Sequence, residues 1–232
     1  MSRDPLVAET LAASGAAYVC VDLQHGSAEP GDVATLAGII DARGASPLVR
    51  VPALDAAVIG KVLDAGARGV IVPQVETAEQ AAAAVAACRY PPQGHRSYGP
   101  FRAGAAYGST NPDVLSDVLV CVMIETRQGL DNVEDIAATS GLDAIYVGPA
   151  DLSIALGLPV AFEHESGEHP QALATIRAAC DRHGIAAGIH CADAAMAGRR
   201  LAQGFAMTTA VTDVSLVADG AREAFARLGP PS

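Results

Sequence analysis

The stretch Gly141-Leu-Asp-Ala-Ile-Tyr-Val-Gly-Pro-Ala-Asp151 decides how this chain reads. A glycine just past a helix supplies the left-handed backbone that ends it, the run Ala144-Ile-Tyr-Val has strand length, and an acid stands beyond its far end. The preceding apolar run, Leu119-Val-Cys-Val-Met-Ile, closes on Glu125, one strand-helix-strand unit earlier. In a barrel of parallel strands both acids point into one mouth, where a hard divalent cation can bridge them.

Outward from this stretch the same pattern recurs: Gly15 before Tyr18-Val-Cys-Val-Asp-Leu, Gly44 before Pro47-Leu-Val-Arg-Val, and Gly66 before Gly69-Val-Ile-Val-Pro. It continues with Gly184 before Ala186-Ala-Gly-Ile and Gly204 before Phe205-Ala-Met-Thr-Thr-Ala-Val. Helix starts lie between them: Thr77 with Gln80 forms a capping box, Pro170 suits a first helical turn, and Asp193 caps a segment running to Leu201. Strands alternating with helices predict a parallel sheet. With the strand ending at Glu125 there are seven. The expected fold is therefore an α/β (β/α)₈ TIM-type barrel with its first strand missing from the N-terminus, a single domain over residues 1–232. An open doubly wound sheet would carry a Gly-rich phosphate loop after an early strand. Here the first strand runs into Asp22-Leu-Gln-His-Gly instead.

Composition narrows the function. Half of the 232 residues are apolar, enough for a sizeable core, and the formal charge is −11. That charge disfavours nucleic acid or an anionic membrane as a partner. The longest apolar runs fall short of the roughly 18 residues of a membrane span, and Met1-Ser-Arg-Asp-Pro lacks the basic-then-apolar form of a leader, so a cytoplasmic protein is expected. The five cysteines form no CxxC pair, so reduced core thiols are expected rather than disulfides or a zinc site.

The residues at the strand ends carry the chemistry: Asp22 to His25, Arg50, Gln74, Glu125, Asp151, His190 and Thr212-Asp213. Barrel enzymes assemble their sites from such positions. His190 reads equally as a site residue or a structural one, Gln74 receives no role, and His95, His164, His169 and His183 are expected to face solvent. The segment from Gly94 to Asp117 has no strand periodicity. It is expected to be a lid or a subunit contact, with Arg96 and Arg102 available to guide an anion.

Six segments in order and spacing resemble the HpcH/HpaI aldolase family of class II pyruvate aldolases. They are Tyr18-Val-Cys-Val-Asp-Leu-Gln-His-Gly, Leu48-Val-Arg-Val-Pro, Lys61-Val-Leu-Asp-Ala-Gly-Ala, Tyr90-Pro-Pro-Gln-Gly-His-Arg-Ser, Met123-Ile-Glu-Thr and Val147-Gly-Pro-Ala-Asp-Leu-Ser. The resemblance implies a (β/α)₈ barrel, a homo-trimer or homo-hexamer exchanging its last helix, and a Mg²⁺, Mn²⁺ or Co²⁺ ion. It implies cleavage of a 4-hydroxy-2-oxo acid to pyruvate or hydroxypyruvate and an aldehyde. On the matching positions, Glu125 and Asp151 would hold the metal and Arg50 would face the keto oxygen. The backbone at Gly148, Ala150 and Asp151 would bind the substrate carboxylate. His25 would be the general acid/base, and Asp64 resembles the carboxylate that orients it, across the barrel mouth. Gln24 stands where many members have Glu, and Met123 where some have Gln. The alternatives are an acyl-CoA lyase of the malyl-CoA/citryl type and a non-catalytic relative. An acidic chain argues against the first, because CoA phosphates call for a cationic surface.

Overall fold

Alternation with a period of two sorts each strand's side chains into two layers. A computed structural model describes residues 2–228 and contains one seven-stranded parallel sheet in chain order. Its strands are β1 (Tyr18–Asp22), β2 (Ser46–Arg50), β3 (Gly69–Val72), β4 (Leu119–Ile124), β5 (Ala144–Val147), β6 (Ala186–His190) and β7 (Met207–Thr209). One set of residues, including Val21, Val49, Val70, Val122, Ile145 and Ile189, packs in the main core with residues of the surrounding helices. The alternate set, Cys20, Ile71, Cys121, Met123, Ala144, Tyr146 and Met207, forms a second cluster inside the curl of the sheet. A strand buried on both faces needs apolar residues in both registers, which is why these strands read as near-continuous apolar runs.

The sheet is a curled half-barrel, a TIM-type barrel short of one strand, as the sequence predicts. Each neighbouring pair runs parallel, from Tyr18 opposite Ser46 to His190 opposite Thr209. β7 is shorter than the expected Phe205–Val211. As an edge strand it has β6 alone to pair with among the described residues, and Phe205 is buried while its N–H bonds Arg200 O in the preceding turn.

All six glycines read as helix stops have positive φ, for instance +69° at Gly184, whose N–H returns to Cys180 O. The starts also hold. Thr77 and Gln80 form a reciprocal capping box, and the Asp193 carboxylate accepts the Met196 N–H. All five cysteines are free, and burial pushes the Cys20 thiol up to about 12, so it stays protonated. No described helix is long and apolar enough to cross a membrane.

Ile145, fully buried in central β5, tests the helix-facing layer. Ile145→Ala is expected to lower the unfolding free energy by about 2–5 kcal/mol in a denaturant titration. A cost below about 1 kcal/mol would mean that this layer is not close-packed.

Candidate active site

The inward register of each strand, carried to the strand's C-terminal end, delivers polar groups to one rim. Tyr18 and Cys20 lead to Asp22, Leu48 leads to Arg50, Cys121 and Met123 lead to Glu125, and Gly188 leads to His190. Asp22, His25, Arg50, Gly148, Ala150, Asp151 and His190 line one cavity of about 970 Å³, with Met123 and Tyr146 below them. The cavity continues along the seam between β1 and β7, past Tyr18 and Thr209.

Arg50 is held in a two-pronged ion pair, its Nε 2.8 Å from Asp22 Oδ1 and its Nη2 2.6 Å from Asp22 Oδ2. Such forks fix the guanidinium plane as well as its charge. Asp22 Oδ1 also accepts the N–H groups of Gln24 at 3.0 Å and His25 at 3.4 Å, so the same carboxylate anchors the turn carrying the exposed His25. Burial alone would raise the Asp22 pKa, but the hydrogen bond and charge of Arg50, with the two amides, hold it below the usual carboxylate range.

Glu125 is 5% exposed, and its Oε1 accepts the backbone N–H of Gln74 at 2.9 Å. Gln74 reaches that position with φ +55°, the sole non-glycine residue with positive φ among the described residues. Backbone strain of this kind, costing about 1–2 kcal/mol, persists where the surroundings impose it. Gly148 is needed for a different reason: a Cβ there would stand 2.4 Å from Glu125 Oε2. The Glu125 carboxyl is pushed above its ordinary pKa, first by burial and then by the charge of Asp151, against the opposing pull of Gln74 N–H and Arg50.

A buried acid beside a second acid, with the nearby guanidinium committed to Asp22, is short of positive charge. Two oxygen donors in that state fit a hard divalent cation, which supplies what the side chains do not. Among the described residues no group of three or more His, Cys, Asp or Glu converges.

Asp64 is placed elsewhere. It closes the Ala56–Asp64 helix, which follows β2 and returns to the N-terminal edge of β3, and its carboxylate binds Arg96 at 2.7 Å. It does not line the cavity that contains His25, so the expectation that it orients His25 across the mouth is not met within the chain. Helix polarity is the reason, since a helix after a parallel strand carries its last residue to the opposite rim. The 94–117 segment folds at that same far rim and holds the short helices Ala103–Tyr107 and Pro112–Leu115. Arg96 is spent on Asp64 and Leu115 O, and Arg102 on Ala65 O, so neither guides an anion into the mouth.

Several residues given no firm role belong to the site or its support. His190 lines the cavity beside the Phe162 ring at a centroid distance of 5.6 Å, and burial, then Arg50, lowers its pKa, keeping it neutral. Gln74 contributes its backbone, which side-chain reasoning does not see. His169, expected at the surface, is fully buried. Its position as second residue of a helix with Ala172, Leu173 and Ile176 on the buried face was the available signal. Met123 is buried against the Gly148 backbone, and the Oε1 of Gln24 is buried without a partner.

Residues 1–220 match the family model described as HpcH/HpaI aldolase/citrate lyase. A hydroxypyruvate/pyruvate aldolase of Rhizorhabdus wittichii is 37% identical over 222 residues, covering 95% of this chain and 88% of that protein. A solved HpcH/HpaI aldolase/citrate lyase family protein from Burkholderia cenocepacia superposes with a TM-score of 0.91 at 34% identity, covering 98% of this chain and 91% of that one. The solved citrate synthase SbnG is 31% identical with a TM-score of 0.83, covering 97% and 89% of the respective chains.

Gly148→Ala tests the crowding at Glu125. The variant is expected to fold but to bind Mn²⁺ at least about tenfold more weakly in a calorimetric titration, because the carboxylate must move. Unchanged affinity would mean that Glu125 is not held against this turn.

Proposed function

Because the chain belongs to the HpcH/HpaI aldolase/citrate lyase family and is a carbon–carbon lyase, we propose that it is a divalent-metal-dependent aldolase. Its reaction would be the reversible cleavage of a 4-hydroxy-2-oxo acid to pyruvate, or hydroxypyruvate, and an aldehyde. One observation carries the reading: the Asp22-anchored Arg50 and the Gly148–Asp151 turn line one mouth, and the buried Glu125 packs behind that turn with its Oε2 against Gly148.

Glu125 and Asp151 would hold Mg²⁺, Mn²⁺ or Co²⁺, which when bound supplies Lewis acidity and a mounting point for a chelating keto acid. The N–H of Ala150, in the first turn of the Pro149–Ala155 helix, lies where intrahelical partners are lacking and would bind the substrate carboxylate; Pro149 has no N–H to offer. Arg50 donates to the keto oxygen, where negative charge grows as the enolate forms. In cleavage, His25 accepts the proton of the C4 hydroxyl as the C3–C4 bond breaks, and the bonding pair passes into the enolate of the keto acid. The aldehyde then leaves, and the enolate carbon takes up a proton. In the synthetic direction the imidazolium returns its proton to the new alkoxide.

The assembly belongs to the same proposal, as a homo-trimer or homo-hexamer. The Asp213–Leu228 helix exposes Val214, Val217, Phe225 and Leu228, and Phe101 on the far-rim segment is 98% exposed. The exposed apolar side chains along that helix favour burial against another subunit. An acyl-CoA substrate fits less well, since the cavity lining holds a single arginine, already paired, and no lysine.

In deuterated water with pyruvate and Mn²⁺ or Mg²⁺, the protein is expected to exchange the methyl hydrogens of pyruvate, followed by NMR, and chelation should stop the exchange. Folded, metal-loaded protein that leaves the methyl signal intact would refute the enolate reading. Arg50→Ala is expected to reduce turnover about 10²-fold to 10³-fold, the loss typical of one oxyanion donor. A loss below about threefold would remove Arg50 from that role.

A further inference from the structure

The Gly148–Asp151 turn is gripped from behind by a buried imidazole. His169, second residue of the Glu168–His183 helix, is 0% exposed, and its Nε2 lies 3.1 Å from Pro149 O. Burial lowers its pKa, so the ring is neutral. A carbonyl oxygen can only accept, so the hydrogen of this neutral ring must sit on Nε2 and donate to Pro149 O. Nδ1 then carries a bare lone pair, and it is buried without a hydrogen-bond partner.

Ser153 does not make this contact redundant. Its Oγ lies 3.0 Å from Pro149 O, 2.9 Å from Ala161 O and 3.1 Å from His164 Nε2. One hydroxyl proton cannot serve two carbonyls at once. His169 therefore supplies a side-chain donor to Pro149 O from outside the helix, beside the helix's own backbone bonding and without competition from Ala161 O, while Ser153 and His164 tie the same helix to the returning 161–164 segment. The unpaired Nδ1 is equally informative. A buried polar atom without a partner costs stability, and an apolar side chain of similar size would avoid that cost. The site is thus poorly suited to stability alone and well suited to fixing one carbonyl.

We propose that His169 is a positioning residue for the aldolase site: by holding the Pro149 carbonyl it sets where the neighbouring Ala150 N–H and Asp151 carboxylate point. This inference rests on the proposed roles of Ala150 and Asp151 in binding the keto acid and the metal. His169 lies behind the turn and is not among the residues lining the cavity, so it acts through the turn and not on the substrate. Displacement of a substrate-positioning group by a fraction of an ångström to 1 Å is enough to weaken a site of this kind.

Two variants separate this role from a structural one. His169→Met keeps the volume and removes the donor, His169→Gln keeps a donor near the Nε2 position, and the wild-type protein is the reference. In His169→Met, amide hydrogen exchange across residues 148–156 is expected to accelerate about tenfold, with residues 172–183 unchanged and the melting temperature not reduced. Pyruvate KM is expected to rise about tenfold with kcat altered by less than about threefold, and His169→Gln should recover most of both effects. Hydrogen exchange in His169→Met equal to wild type would overturn the proposal, and so would a pyruvate KM unchanged by that variant. Equal defects in the Met and Gln variants, tracking a fall in melting temperature, would also overturn it by making the role structural. Absence of pyruvate exchange in the wild-type protein would instead overturn the aldolase reading, and the hydrogen-exchange comparison would still decide whether His169 holds the turn.

Discussion

An ionisable carboxyl enclosed at the top of the barrel sets the terms for everything around it. Glu125 sits on the inward register of β4, where alternation allows it to point nowhere but into the curl of the sheet. Burial and the neighbouring Asp151 both oppose its ionisation. The fold meets that cost in parts: a strained backbone N–H from Gln74, a glycine at 148 that leaves room for Oε2, and an arginine at longer range. The remaining deficit of positive charge is what a divalent cation would fill. A site poised in this way is costly when empty and stabilised by its ligand.

The second electrostatic unit at the rim is organised in the opposite sense. Asp22 and Arg50 satisfy each other through two hydrogen bonds, and the acid gains two backbone amides besides. The pair brings no net charge, but it fixes the direction of a guanidinium that still has N–H groups to offer. In a protein of formal charge −11, attraction of an anionic keto acid must come from such local groups and not from the surface as a whole. The cation and Arg50 together would provide it. His190, held neutral beside Arg50 and tilted against the Phe162 ring, leaves the number of cations at the mouth unchanged.

Much of this was legible from residue patterns. Helix-stop glycines and apolar runs located all seven strands, and the polar residues just past them located the rim, because a parallel barrel turns strand ends into a shared surface. The individual partnerships were harder to read. Asp64 and Arg96 form an ion pair at the far rim, between residues 32 positions apart, that spacing alone does not reveal. Arg96 and Arg102 look available in sequence, yet packing commits both to acceptors on the barrel wall. Gln74 acts through its backbone and His169 through a carbonyl, and neither contact depends on a side-chain pattern that marks it. A polar residue at a strand end signals where a site is; its partners follow from the fold.

The central claim is that Glu125 and Asp151 share one divalent cation. Crystals of the full chain grown with Mn²⁺, with diffraction data collected at an energy where manganese scatters anomalously, test it most directly. An anomalous peak within coordination distance, about 2.0–2.5 Å, of a carboxylate oxygen from each residue is the expected result. A folded, fully loaded protein with its manganese peak at another position, or with only one of the two carboxylates in contact, would contradict it.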